Sequence, residues 1–539
     1  MDLKTNVLYF GDNLDILRHH VPDESIDLIY LDPPFNSKAS YNILFRESSG
    51  AASDAQIEAF EDTWKWTNAM STFEEIQAKG PVNVARMVKA MVDGIGHNDV
   101  TAYLTMMAIR LIELHRVLKP SGSLYLHCDP TAGPYLRVLM DQVFGPKNFK
   151  NEIVWKRSHP HGNISRKFGS IHDTILFYAR DSRLATWSSP AIAHDPHDPK
   201  VKKQYSRWDD VRQDWWQPTS LLNPNPNRPN LTYEYHGHTK VWRWTLERME
   251  EAERQGLIYV PQDGGIPRLK RYLSEQRGRL MQDVWDDIEP VSGKEDLGYD
   301  TQKPTDLLER IIEASSNAGD VVLDPFCGCG TAVHAAQALG RRWIGVDITH
   351  LAINVMRRRL RDAFPGLGIE VIGEPRDLSG ARELAAKDKY QFQWWALDRI
   401  DAQLVSGKKR GGDRGIDGLV LYFAGAKEGH RRAIVSVKGG EQVNPGMIRD
   451  LKGVLEREKE HLGIFLTLRP PTQEMRTEAA TAGFWHSDDW KRDYPRIQIL
   501  TIEEVFSGKR PDVPPAARPP YAQAQVEREK AEQPGLRLR

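Results

Sequence analysis

The stretch Gly319-Asp320-Val321-Val322-Leu323-Asp324-Pro325-Phe326-Cys327-Gly328-Cys329-Gly330-Thr331 runs from a short apolar strand into a glycine loop. Ala332 to Leu339 has the spacing of a helix, and Arg342-Trp343-Ile344-Gly345-Val346-Asp347 reads as a second strand ending in an acid. In that order these pieces make a βαβ unit. Its glycines let backbone approach a ligand closely, and an acid about twenty residues on can accept hydrogen bonds from ribose hydroxyls. A glycine loop alone is weak evidence, because helix–strand packing also selects glycine. With Asp347 in place, the unit predicts a nucleoside cofactor on a parallel α/β sheet.

The first 150 residues carry the same alternation. Val7-Leu8-Tyr9-Phe10 is a short strand ending in Gly11-Asp12-Asn13, a turn able to cap the next helix. Ser25 to Leu31 is a second strand. Leu104, Met107, Ala108, Leu111, Leu114 and Leu118 fall at helical spacing, Lys119-Pro120-Ser121-Gly122 ends that helix, and Ser123 to His127 is a third strand. The stretch from about Ser48 to Asn98 shows no pattern that places it. The second strand leads into Asp32-Pro33-Pro34-Phe35. The Asp32 side chain and the Pro33 carbonyl are two acceptors held in fixed geometry by the prolines, suited to an exocyclic amine, and Phe35 offers a face for a planar base. A plain Pro-Pro exit loop would show the same four residues.

Bulk composition sets bounds. At 539 residues the chain is long enough for two to four domains, taking roughly 150 residues each. The formal charge of −1 argues neither for nor against nucleic acid, so local charge must decide. Three cysteines, Cys128, Cys327 and Cys329, support neither a disulfide framework nor a four-cysteine zinc site. The start, Met1-Asp2-Leu3-Lys4, lacks an apolar signal region and no run approaches ~18 apolar residues, so a cytoplasmic location without membrane contact is expected.

Residues 151–280 differ in character, with 21 Lys and Arg against 15 Asp and Glu. Seven of the fifteen tryptophans fall here: Trp155, Trp187, Trp208, Trp215, Trp216, Trp242 and Trp244. Two β-rich pieces, Asn151 to Trp155 and Asp173 to Tyr178, precede Asn/Pro-rich loops such as Leu222-Asn223-Pro224-Asn225-Pro226-Asn227. Cations for phosphates and rings for unpaired bases are what a nucleic-acid surface requires. A β-rich insertion with its tryptophans in a core fits equally well.

With both motifs in view, the chain resembles the N4/N6 amino-methyltransferases of DNA, in the permuted order where the catalytic motif precedes the cofactor motif. Asp32-Pro33-Pro34-Phe35 matches the family's catalytic motif. Asp324-Pro325-Phe326-x-Gly328-x-Gly330-Thr331 matches its S-adenosylmethionine loop. Tyr299-Asp300-Thr301-Gln302-Lys303-Pro304, followed by Leu307-Leu308, is similar to the segment that helps enclose the methionine end of the cofactor. Gly11-Asp12-Asn13 is similar to the turn near its adenine. The likeness covers residues 5–360 and is nearest to type III modification subunits and solitary adenine methylases. It implies a Rossmann-like S-adenosylmethionine-dependent fold in two halves, 1–150 and 291–365, with an inserted target-recognition region, 151–290, that grips double-stranded DNA. Restriction or defence subunits and a second copy of the chain are the further partners it suggests.

The chemistry so implied is methyl transfer to a flipped base. An adenine N6 amine is a poor nucleophile because its lone pair is delocalised. Hydrogen bonds to Asp32 and the Pro33 carbonyl favour a pyramidal nitrogen, and positioning and electrostatics supply most of the effect, without a metal. The base must leave the duplex to be reached, with Phe35 to stack on. The family's aspartate-first motif goes mainly with adenine N6, whereas cytosine N4 enzymes more often begin with serine. Phe35 replaces the commoner tyrosine. Cys327 and Cys329 read as small packing residues.

Residues 361–385 read as a charged connector, and a new unit begins near Tyr390. It holds a helix at Phe392-Gln393-Trp394-Trp395-Ala396-Leu397, then Asp413-Arg414-Gly415-Ile416-Asp417-Gly418, a hairpin, the strand Ala433 to Lys438, a helix from Pro445 to Glu460 and a strand from Gly463 to Leu468. An acid and a lysine on adjoining strands can bind a divalent ion and polarise a phosphate. Residues 388–506 resemble a restriction-endonuclease-like domain of the Mrr type, in which Asp417 matches the metal-binding acid and Lys438 the catalytic lysine. Ser436 and Gln393 stand where that fold normally has acids or long acceptors, which leaves few oxygen ligands for magnesium. The domain is thus either a magnesium-dependent nuclease, making the chain bifunctional, or a DNA-binding or docking remnant. The same motifs also admit a cytosine N4 enzyme or a DNA-binding subunit without catalysis of its own. Residues 507–539, rich in proline, are expected to be disordered.

Overall fold

Nine strands form one sheet: β1 (Val7–Phe10), β2 (Ile26–Leu31), β3 (Leu118–Cys128), β4 (Phe149–Lys156), β5 (His172–Ala179), β6 (Val284–Trp285), β7 (Val321–Asp324), β8 (Arg342–Asp347) and β9 (Glu370–Ile372), in the spatial order β6-β4-β5-β3-β2-β7-β8-β1-β9. The structure, a computed structural model, describes residues 2–34, 66–159, 168–189, 191–192, 197–276, 278–297, 301–404 and 415–515. The described residues divide into two compact units, one from within 2–188 and 283–515 and the other from within 189–282.

All neighbours from β3 to β9 run parallel, while β5 runs against both β3 and β4. β2 is buried along all six residues, as a central parallel strand covered on both faces must be. Its side chains alternate between two cores: Ile29 and Leu31 join Leu104, Met107 and Leu111 of the helix Asp99–Val117, whereas Leu28 and Tyr30 join Leu308 and Ile312 of the helix Thr305–Ser315. The connection from β2 leads to β3 on one side, and that from β7 leads to β8 on the other. The β2–β7 junction is therefore a switch point, where ligands bind beyond the carboxyl ends of the strands.

Asp27 clamps that junction. Its carboxylate, largely buried, accepts both the Val321 backbone N–H at 2.9 Å and the Lys119 ammonium at 2.8 Å. One side chain thus ties β2 to the entrance of β3 and to the first residue of β7.

Several expectations are corrected. Asn151 to Trp155 and Asp173 to Tyr178 belong to β4 and β5 of the main sheet, not to an inserted region, and Trp155 sits in its core with Nε1 donating to the Ile288 carbonyl. Basic and aromatic composition hid a pairing made by backbone. The charged connector contains β9 and the helix Leu378–Lys387. The unplaced stretch supplies the helices Trp66–Lys79 and Val82–Ile95, with residues 35–65 outside the described residues. The expected tail is ordered at its start: Asp512 and Gln498 exchange two hydrogen bonds at 2.7 Å, and the Pro515 carbonyl accepts the Phe423 N–H. Residues 516–539 lie outside the described residues.

The 189–282 unit has a four-stranded antiparallel sheet, ordered Ile258–Tyr259, Arg268–Tyr272, Asp214–Ser220, Arg207–Asp209. A small core of Leu221, Tyr235, Trp242, Met249 and Ile258 lies beside it. The C-terminal domain has a five-stranded sheet, Gln403–Leu404, Gly418–Gly425, Gly429–Lys438, Gly463–Thr467 and Ile497–Thr501, paired in that order. The helices Pro445–Glu458 and Gln473–Thr481 pack on one core face, and Lys389–Arg399 on the other. Among the described residues no helix is long and apolar enough to cross a membrane.

Asp27→Ala is expected to cost about 1–3 kcal/mol, because it leaves the buried Val321 N–H without a partner. Lys119→Ala, at a position about one-third exposed, should cost under about 1 kcal/mol. Urea unfolding of the two variants measures the difference; equal losses would refute the clamp.

Candidate active site

Four acids end up along one edge of the sheet because the strands they follow are parallel neighbours. Asp32 follows β2, Asp324 ends β7, Asp347 ends β8, and Asp12 lies two residues beyond β1. Register pairs Asp324 with Gly345 and Phe10 with Asp347. Residues nearly three hundred apart in sequence thus share one rim.

Asp32 is half-buried, and its Oδ2 lies 2.5 Å from Lys303 Nζ. Pro33 is buried, and Phe35 lies outside the described residues, as do Tyr299 and Asp300. Gln302 is buried but turns inward on its own segment: its amide donates to the Glu295 carbonyl at 2.7 Å and accepts the Leu297 N–H at 3.0 Å. Pro304 precedes the first residue of the helix Thr305–Ser315. The segment expected to enclose a cofactor therefore delivers Lys303 to the Asp32 carboxylate, with Gln302 as its brace.

The glycine loop is held from three sides. Asp347 Oδ2 accepts the Gly328 N–H at 3.0 Å, and its Oδ1 accepts the N–H and hydroxyl of Thr349. Asn13 Nδ2 donates to the Pro325 carbonyl at 2.8 Å. Thr331 accepts from buried Arg359 at 2.9 Å. Gly328 (φ +51°) and Gly330 (φ +78°) both have left-handed backbone, and a Cβ on Gly330 would meet Met356 Cγ at 2.6 Å. Phe326 is partly buried against the core.

Burial dominates the electrostatics. It pushes the Asp324 carboxyl well above the usual range; the Phe326 N–H, at 3.0 Å, works against that shift, and the charges of Asp32 and Asp347 add to it. Burial likewise raises Asp347, to about 6, despite the hydrogen bonds from Thr349 and Gly328. Beneath Asp32, the buried Tyr30 hydroxyl lies 3.0 Å from His127 Nδ1, whose Nε2 is 3.1 Å from Asp173. Burial alone would raise Asp173, yet His127, Lys303 and Arg157 together hold it below the usual carboxylate range.

Two site residues escaped sequence reasoning. Arg110 donates to Asn13 Oδ1 at 2.6 Å and to both Asp12 oxygens, at 2.9 and 3.0 Å, while Asp12 also caps the helix Asn13–His20. Its signal was a charge inside the apolar stripe of Met107, Leu111 and Leu114. Arg359 had no comparable signal.

In the C-terminal domain, Asp417 Oδ1 accepts from the Gln393 amide at 2.9 Å and Oδ2 from the Val437 N–H at 2.7 Å. Ser436 is buried and Lys438 ends its strand. Magnesium requires several oxygens converging in near-octahedral geometry. Among the described residues no group of three or more His, Cys, Asp or Glu could hold a metal, so the donor set does not fit the ion.

Residues 26–358 match the DNA methylase model of the N6/N4 methyltransferases. The chain belongs to the N6/N4 DNA methylase family. Residues 389–506 of this methylase match a second model, described as NACHT-associated inactive Restriction Endonuclease 1, consistent with the engaged Asp417. The methylase is 30% identical to the type II methyltransferase M.EcaI of Enterobacter cloacae, over 48% of this chain and 57% of that protein. It is 27% identical to the Mod subunit of the type III restriction-modification enzyme StyLTI of Salmonella typhimurium LT2, over 62% and 50%. It is 26% identical to the DNA adenine methyltransferase YhdJ of Escherichia coli K12, over 66% and 83%. The methylase thus spans only about half the length of the first two relatives.

Gly330→Ala is expected to lower stability by about 1–2 kcal/mol from left-handed backbone alone, and further from the collision with Met356. In a Met356→Ala background the collision disappears, so the same change should cost less. A thermal-unfolding double-mutant cycle reads the coupling; additive losses would show that the contact does not matter.

Proposed function

We propose that this methylase transfers the methyl group of S-adenosylmethionine to the N6 amine of a flipped adenine in double-stranded DNA. The observation that carries the reading is Asp32 on the same sheet edge as Asp324, Asp347 and the glycine loop. Left-handed Gly328 and Gly330 make a cradle free of side chains, and three carboxylates on one rim suit a cation. S-adenosylmethionine supplies an electrophilic methyl on a positively charged sulfur. Asp347 accepts from ribose hydroxyls, the Asp12 turn borders the adenine, and Lys303 leaves Asp32 so that the carboxylate can accept one amine N–H while the Pro33 carbonyl accepts the other. Phe35 stacks on the base. The preference for adenine rests on the aspartate-first motif and on the relative named as an adenine methyltransferase.

The 189–282 unit is the proposed target reader. Of the seven tryptophans noted above, Trp216 and Trp242 are core, but Trp208 and Trp215 are exposed and edge-to-face at 5.2 Å, near Val211 at a hairpin tip. Rings of this kind can wedge or stack against bases. A restriction subunit as partner is part of the reading because one relative is named as a Mod subunit; homodimerisation and a cytoplasmic location are expected with it.

Modified-base sequencing of DNA from cells expressing the native chain should show N6-methyladenine in one sequence context, and Asp32→Ala should cut the modification by about 10²-fold or more. N4-methylcytosine in place of N6-methyladenine would overturn the choice of base, and no modified base at all would overturn the reading.

Cofactor affinity should depend on pH through Asp347. An ionised carboxylate is needed to accept from ribose hydroxyls, and its pKa in the folded chain is about 6. Binding should be flat above about pH 7 and weaken about tenfold for each pH unit below 6. Calorimetric titration from pH 5 to 8 checks this, with Asp347→Asn expected to flatten the profile.

A further inference from the structure

Between the cofactor half of the methylase and its nuclease-like domain lies a cleft of about 220 Å³, lined by Arg357, Arg358, Arg361, Arg399, Arg510, Asp398 and Asp401. Five guanidiniums against two carboxylates is a concentration of like charge that folding alone does not favour. Some of that charge is used by the junction. Arg357 and Arg358 reach Asp398 from the helix His350–Ala363, and Arg399 reaches Glu374. The Arg510 guanidinium donates to the Val505 and Lys509 carbonyls, and Arg399 Nε is buried without a hydrogen-bond partner among the described residues. Glu374 and Asp362 approach the same arginines from behind, and the balance stays positive with both counted.

We propose that this cleft binds a phosphate or diphosphate group, held by forked guanidinium hydrogen bonds. Arginine presents paired donors that match tetrahedral oxyanions, and a set of arginines already fixed by neighbouring acids loses little side-chain freedom on binding. The volume suits one or two phosphate groups and not a whole nucleotide, so any base and sugar would lie outside. The site is separate from the proposed methyl-transfer rim and does not depend on that reading. It draws on both domains: Arg357, Arg358 and Arg361 come from the helix that follows β8, Arg399 and Asp401 from the end of the helix Lys389–Arg399, and Arg510 from beyond the helix Ile502–Phe506. An anion seated there would fasten the three segments together.

The test uses the full chain with inorganic pyrophosphate as probe, followed by thermal shift and isothermal titration. Pyrophosphate should bind with 1:1 stoichiometry and raise the melting temperature saturably. The variant Arg361→Gln/Arg510→Gln removes two exposed rim arginines and leaves the Asp398 and Glu374 pairs intact. It should fold normally and bind pyrophosphate at least tenfold more weakly. Competition separates the sources: a nucleoside diphosphate that displaces pyrophosphate identifies a free nucleotide, and displacement by a short duplex alone identifies a nucleic-acid backbone. No saturable binding at 10 mM pyrophosphate, or equal stabilisation of native and variant chains as in a general salt effect, would overturn the proposal.

Discussion

The methylase depends on one strand pairing. β2 carries the Asp32 motif, β7 carries the glycine loop, and the two lie side by side although nearly three hundred residues separate them. Only parallel pairing with both carboxyl ends on one edge brings Asp32 to the rim that holds Asp324 and Asp347. Only two register pairs, Leu28 with Val322 and Ile29 with Leu323, join these strands, so backbone bonds alone would define the junction weakly. Asp27 makes up for this. A slip of one residue would turn Leu28 and Tyr30 to the wrong core and remove Val321 N–H from the Asp27 carboxylate.

This explains what was legible in the sequence and what was not. Strand β1, strand β8 and the helix after the glycine loop were readable because their signals are local: a buried apolar run, a turn residue, a 3.6 period. The Asp32 and Asp324 motifs were readable for the same reason. β4 and β5 were misassigned because a hairpin at the margin of a parallel sheet owes its place to cross-strand partners, and local composition spoke of cations and tryptophans instead. β9 has three residues, too few for any period. Arg110 left a trace, a guanidinium in an apolar stripe. The role of Gln302 could not be read, because an amide that braces its own loop and one that faces a ligand look alike in sequence.

The nuclease-like domain has a structural part to play. Its helix Lys389–Arg399 faces both ways. Gln393 occupies Asp417 on one side, while on the other Gln391 accepts the His350 backbone N–H at 2.9 Å and Asp398 binds Arg357 and Arg358. His350 in turn stacks on Phe10, centroids 3.6 Å apart, immediately before the Gly11-Asp12-Asn13 turn. Gly373, just past β9, has no room for a Cβ, which would lie 2.2 Å from the Phe10 carbonyl oxygen. The same helix therefore engages Asp417 and supports the rim where Asp12 sits.

Carboxylates gathered at strand ends carry a cost that the fold meets in a specific way. Burial raises both Asp324 and Asp347, and Asp324 is raised further by Asp32, which follows the adjacent strand, and by Asp347. Lys303 neutralises Asp32 directly and lowers the cost of ionising Asp324 and Asp173. A fixed lysine would block the one carboxylate that the proposed chemistry needs. A cation entering the rim makes the lysine redundant there: it stabilises the same carboxylates and repels the ammonium. In the proposed reaction, cofactor entry and release of Asp32 would follow from one charge balance, with Gln302 and Pro304 anchoring the segment on either side of Lys303.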